Sequence, residues 1–104
     1  MIANNLEVAV PVHPGELLKD ELEYRSITQK AFAAEIGLPA SVVSDIVNGR
    51  RQVSTEYALL FEAALGIEAS MWLKMQAEYS KQKATSNPKF MDRLRRIRNL
   101  SACL

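Results

Sequence analysis

Residues 29–48, QKAFAAEIGLPASVVSDIVN, decide how this chain is read. Phe32, Ala33 and Ile36 fall on one face of a first helix, Gly37 stands at its end, and Val43 and Ile46 return on a second. The small Ala33 lets two helix backbones approach more closely than a larger side chain allows, and Gly37 supplies the positive φ that ends a helix abruptly. Two short helices packed through a sharp turn are the helix-turn-helix layout, in which the second helix enters the major groove of DNA. An ordinary αα-hairpin shares some of these features, but six agreeing positions favour the DNA-binding arrangement.

Working outward, the chain reads as five or six helices. His13-Pro14-Gly15-Glu16 opens one upstream: Pro14 sits where a missing N–H costs nothing, and Glu16 lies near the positive end of the dipole. Leu18 and Leu22, with Leu17 alongside, mark its buried face. Thr28 is a good N-cap for the helix that ends at Gly37, and the next runs from about Pro39 to Asn48-Gly49. Ser54 caps a fourth, whose Tyr57, Leu60, Phe61, Ala64 and Leu65 form an apolar stripe ended by Gly66. Ser70 is expected to cap a fifth, from Met71 to about Lys83. Asn87 and Pro88 then fit the N-cap and first position of a short Arg-rich helix carrying Phe90, Leu94 and Ile97. Leu6-Glu7-Val8-Ala9-Val10 suits an extended arm. The expected division is an N-terminal arm over 1–12, a helix-turn-helix domain with its fifth helix over 13–84, and a basic C-terminal tail or short helix over 85–104.

With 104 residues, 48% of them hydrophobic and 24% charged, one domain with a modest core is expected, stable by about 5–10 kcal/mol. The N-terminus lacks a basic segment followed by an apolar run, and no stretch approaches about 18 apolar residues, so no membrane partner and a cytoplasmic location are expected. Cys103 is the only cysteine, which excludes an internal disulfide and a thiolate metal cage. His13 is the only histidine, so neither a zinc site nor a His-assisted nucleophile can be assembled within one chain. There is no P-loop and no dinucleotide-type glycine motif. The chain is therefore read as a non-enzyme with no catalytic residues, no metal site and no cofactor.

The net charge of +1 is unevenly spread. Residues 14–67 hold five basic and eight acidic side chains, whereas residues 68–104 hold eight basic and three acidic ones. A negative helix-turn-helix region is unexpected, because affinity for DNA comes largely from cations set against phosphates. Dimerisation, the Arg50–Arg51 pair and the basic C-terminal third have to compensate.

Three blocks, "HPGELLKDEL", "TQKAFAAEIGLPASVVSDIVNGRR" and "MWLKMQAEY", resemble antitoxins of the HigA/VapI type, within the xenobiotic-response-element-like helix-turn-helix class. The middle block is common to many regulators; the outer two are more restrictive. The resemblance extends over residues 13–83, about two-thirds of the chain. The resemblance implies an all-α bundle of five to six helices of the lambda-repressor-like helix-turn-helix type. It also implies a homodimer that binds double-stranded operator DNA, represses its own operon and neutralises a HigB-like ribonuclease toxin that cuts mRNA. A stand-alone regulator without a toxin, or a protein-binding module that has lost DNA reading, stays open at this level.

Mapped onto this layout, Thr28 and Gln29 are candidate phosphate anchors at a positive helix end. Ala40, Ser41, Ser44 and Asp45 occupy groove-facing positions, although none is an Arg, Asn or Gln able to make a strong bidentate base contact. Asp45 can accept from a cytosine amino group, but phosphates repel it, and it can equally be a solvated helix residue or pair with Arg50 or Arg51. Asn48, Arg50 and Arg51 follow in a turn suited to clamping the DNA backbone. Met71, Trp72, Met75 and Tyr79 are the candidate dimer surface, with completion of the monomer core as the alternative for Trp72. Glu16, Asp20 and Glu23, at i, i+4 and i+7, form an acidic stripe that can meet a basic toxin or be a solvated face.

Overall fold

The first helix begins because His13 does what a capping residue must. The computed structural model, which describes residues 11–103, shows its Nδ1 accepting the Gly15 backbone N–H at 2.9 Å, with Pro14 in the first turn. Among the described residues six helices follow in order: α1 Pro14–Tyr24, α2 Gln29–Ile36, α3 Ala40–Val47, α4 Thr55–Leu65, α5 Ala69–Thr85 and α6 Pro88–Cys103. The arm expected around Leu6–Val10 lies outside the described residues.

Local signals place most of the ends. Thr28 Oγ1 accepts the Ala31 N–H at 3.0 Å, and Ser54 Oγ accepts the Tyr57 N–H at 3.2 Å. Asn87 Oδ1 accepts from Lys89 and Phe90 at 3.0 and 3.1 Å. Gly37 and Gly66 end α2 and α4 at φ values of 75° and 78°. The start of α5 differs from expectation. The helix begins at Ala69, two residues before Met71, because Glu62 Oε1 on α4 accepts the Ala69 N–H at 3.1 Å, while Ser70 donates to Glu68 Oε1. A tertiary carboxylate replaces the local cap.

Five helices pack into one bundle: α2 packs on α3 and α4, α1 on α3 and α5, and α4 on α5, so that α3 is held by α1 and α2. Leu18, Leu22, Phe32, Ala33, Val43, Ile46, Ala58, Phe61 and Trp72 are all buried at the centre. Ala33 is 1% exposed, as the close pairing of α2 and α3 requires. The aromatic rings step through this core, with Phe32 to Phe61 at 5.8 Å and Phe61 to Trp72 at 5.0 Å, edge to face.

The tightest backbone approach is elsewhere, at Gly15. A Cβ built there would lie 1.8 Å from the Ile46 carbonyl oxygen, so α1 rests directly on the backbone of α3. The C-terminal end of α1 is also tied: Arg25, paired with Glu21 at 3.1 Å, donates to the Leu65 carbonyl at 2.8 Å and so closes the end of α4. The C-terminal helix is longer than the short helix expected, at 16 residues, and none of them is buried. Phe90 and Ile97 are among its exposed apolar side chains, so the stripe read from the sequence is present but uncovered within the chain.

Candidate nucleic-acid interface

The exposed edge of α3 is set by what its other edge must do. Val43, Ile46 and Val47 are buried, which turns Ala40 and Ser41 outward and leaves Ser44 and Asp45 half-buried beside them. Positions 40, 41, 44 and 45 thus form one strip along a helix of eight residues. Thr28, exposed, and Gln29, half-buried, stand at the N-terminus of α2, where first-turn N–H groups have no partner within the helix.

The turn after α3 completes the arrangement. Gly49 takes φ 74° and the Arg50 N–H bonds the Asp45 carbonyl at 2.8 Å, folding the chain back beneath the helix end. Asn48 donates through Nδ2 to the Ser44 carbonyl at 2.9 Å and to the Ser44 hydroxyl at 3.3 Å, closing the last turn. The Asp45 carboxylate holds both guanidinium groups, Arg50 at 3.4 Å and Arg51 at 3.6 Å. Of the roles open to Asp45 in sequence, the structure displays the pairing with arginine. Chemically, the strip offers two hydroxyls, a methyl and a carboxylate, next to a helix N-terminus and two exposed cations. That set can contact phosphates through Arg50, Arg51 and the α2 end, and base edges through short side chains.

His13 governs this corner from behind. Buried beneath the turn, its ring meets Tyr79 of α5 edge to face at 5.0 Å and lies against Gly49, where a Cβ would come within 3.8 Å of it. Burial lowers its pKa below the usual imidazole value and Lys83 adds to this, against a hydrogen bond with the Arg51 backbone and the Glu16 charge. The neutral ring carries its proton on Nε2, since Nδ1 accepts from Gly15. The sequence reading assigned His13 to helix initiation and missed this link to the Arg50–Arg51 turn. No sequence signal joins residues 13, 51 and 79.

The remaining candidate residues fall differently. Trp72 is fully buried, donates its indole N–H to the Ile67 carbonyl at 3.2 Å and packs on Phe61. It therefore belongs to the monomer core and is removed from the candidate dimer surface. Met71 is 50% exposed, while Met75 and Tyr79 are half-buried. Glu16, Asp20 and Glu23 are exposed along α1, and the first two line a shallow cleft with Asn48, Gly49 and Tyr79. Among the described residues there is no cluster of His, Cys, Asp or Glu able to hold a metal ion. No helix among them is long and apolar enough to cross a membrane.

A bundle of this order, with the α2–α3 turn at Gly37 and an uncovered α3 edge, is a helix-turn-helix protein. The model of the Helix-turn-helix family matches residues 18–72. Virulence-associated protein A of Dichelobacter nodosus is 36% identical over 90 residues, spanning 85% of this chain and 86% of that one. Solved structures at 30% identity or above share the fold, two HigA proteins among them. An addiction module antidote protein of the HigA family from Coxiella burnetii is 30% identical at a TM-score of 0.70, covering 73% of this chain and 84% of its own. The Pseudomonas aeruginosa antitoxin HigA, solved with the higBA promoter, is 34% identical at a TM-score of 0.73, covering 80% and 92%. The chain belongs to the helix-turn-helix family, among its antitoxins of the HigA/VapI type.

Proposed function

We propose that this chain is the antitoxin of a type II toxin–antitoxin module. As a cytoplasmic homodimer it binds operator DNA, represses its own operon and neutralises a HigB-like ribonuclease that cuts mRNA. The observation that carries the DNA part is the uncovered strip Ala40, Ser41, Ser44 and Asp45 on α3, flanked by the α2 N-terminus and the Arg50–Arg51 turn. The promoter-bound HigA structure, which shares 80% of this chain, supports the same use of the fold.

In this reading Arg50 and Arg51 exchange Asp45 for phosphates, and the N–H groups beside Thr28 and Gln29 anchor a second phosphate. Asn48 holds the turn. Ser41 and Ser44 bond base edges, Ala40 meets a thymine methyl, and shape contributes what these short side chains do not. Two copies related by a two-fold axis set their α3 helices about 34–36 Å apart on a palindromic site. Met71 and Met75 provide apolar surface for pairing. The acidic stripe Glu16, Asp20 and Glu23 is the surface assigned to the basic toxin.

A gel shift with the chain's own promoter at 50 and 200 mM salt tests the DNA part. Steep weakening with salt is expected, and the absence of a shift at low salt refutes it. Co-expression with the neighbouring gene product tests the other half: restored growth is expected, and growth arrest despite soluble antitoxin refutes neutralisation.

A further inference from the structure

We propose that His13 is a positioning residue for the Arg50–Arg51 clamp, holding the turn that carries the two guanidinium groups against α1 and α5. The inference rests on the DNA-binding reading above and adds a residue that does not itself touch DNA.

Three contacts carry it. Nδ1 of His13 accepts the Gly15 N–H at 2.9 Å, which fixes the ring plane from α1. Tyr79 fixes it from α5 through an edge-to-face contact at 5.0 Å. The third side of the ring meets the turn itself at Gly49, beside the cleft that His13 lines together with Arg50 and Arg51. A ring pinned from two helices and packed against a third segment restrains that segment. The restrained segment is the one whose side chains reach out: Arg50 and Arg51 keep 64% and 44% of their side-chain surface exposed and have only Asp45 as an ion partner among the described residues. Their stems gain direction from the backbone, and that backbone is held from behind by His13. Capping alone does not need imidazole, since Asn, Ser and Asp cap as well.

The test separates capping from positioning. His13→Asn and His13→Ser keep an acceptor for the Gly15 N–H but lose the ring's contacts with Tyr79 and Gly49. Both are expected to unfold within a few degrees of the parent, to bind the promoter about tenfold more weakly at 0.15 M salt, and to show a slope of log K against log salt flatter by about one. The double variant Arg50→Ala/Arg51→Ala is measured beside them. If it keeps the parental slope, the clamp reading itself fails. If it flattens the slope while both His13 variants match the parent in slope and affinity, this inference alone is overturned. Variants at His13 that do not fold despite an intact cap also overturn it, because the ring would then support the whole domain rather than the clamp.

Discussion

Replacing Gly15 by Ala sets two known effects of opposite sign against each other. Helix propensity favours Ala over Gly by about 1 kcal/mol. The structure opposes this, because the new Cβ would stand 1.8 Å from the Ile46 carbonyl oxygen and 2.8 Å from its carbon. Both are backbone atoms of α3, so no side chain can rotate aside. Ordinary nonbonded contact lies at about 3.5 Å, and the two helices must therefore part by about 1.5 Å where Leu18, Leu22 and Ile46 meet. Overpacking costs about 1–3 kcal/mol where neighbours can yield, and rigid backbone places this site at the upper end. After subtracting propensity, a net loss of about 2 kcal/mol is expected, or a fall in Tm of about 10 °C for a domain of this size. Urea unfolding followed by Trp72 fluorescence measures it, since this single buried tryptophan sits in the core. Gly37→Ala is the control: no atom lies within 4 Å of its added Cβ, and only the strain of φ 75° remains, about 1–2 kcal/mol. A Gly15→Ala chain as stable as the parent, or Gly37→Ala the more damaging of the two, refutes the claim that α1 rests on the α3 backbone.

Three further outcomes are expected. Gln76 is buried and its Oε1 accepts the Val53 N–H at 2.8 Å, so Gln76→Leu orphans a buried donor and lowers the unfolding free energy by about 1–3 kcal/mol; an unchanged urea midpoint would contradict this. Asp45→Asn releases both guanidinium groups and removes an anion from the strip proposed to face DNA. It is expected to tighten binding to any duplex about 3–10-fold in gel shifts, with stability changed by less than about 1 kcal/mol because the pairs are exposed; weaker non-specific binding would count against the exchange proposed here. For pH, burial and then Lys83 depress the His13 pKa against the Arg51 hydrogen bond and Glu16, with Tyr79 packed as a neutral ring. As pH falls below about 6.5 the unfolded chain takes up this proton first, so His13 contributes full stability above that value. The contribution declines as pH falls toward the depressed native value. Thermal melts from pH 8 to 5 check it, and His13→Asn should remove that part of the decline.

The features legible in the sequence are those whose partners lie within one helical turn. Thr28, Ser54 and Asn87 cap residues two or three positions away, and Gly37 and Gly66 act through their own backbone. The helix order and the uncovered α3 edge follow from these stops and from the spacing of Phe32, Ala33, Val43 and Ile46. What escaped the sequence joins residues far apart. Glu62 supplies the cap of α5, Arg25 closes α4 from 40 residues away, and Gln76 satisfies Val53 from 23 away. Trp72 shows the same limit: its neighbours Met71 and Met75 suggest an apolar face to be covered by a partner, but Phe61 and the Ile67 carbonyl already cover the indole. In the opening His-Pro-Gly-Glu, Pro14 and Glu16 could be read locally. The need for Gly15 depends on the Ile46 carbonyl passing over it.

These long-range ties bear on the shortage of positive charge. Over residues 14–67 acidic side chains outnumber basic ones by eight to five, and two of those five cations, Arg50 and Arg51, are held by Asp45. A protein rich in cations can bind phosphates with loosely held side chains, because many arrangements succeed. On the proposed reading this one depends on few cations, each gaining only the difference between a phosphate and the carboxylate it leaves. That difference is small for exposed pairs, so the geometry of the turn determines whether it is realised. The same exchange discriminates: a duplex whose shape brings its backbone to both arginines recovers the lost pairs, and one that reaches neither leaves Asp45 to hold them. On that reading, the short side chains of the α3 strip and a tethered pair of arginines form a consistent design, in which backbone placement carries selectivity that long base-reading side chains carry elsewhere.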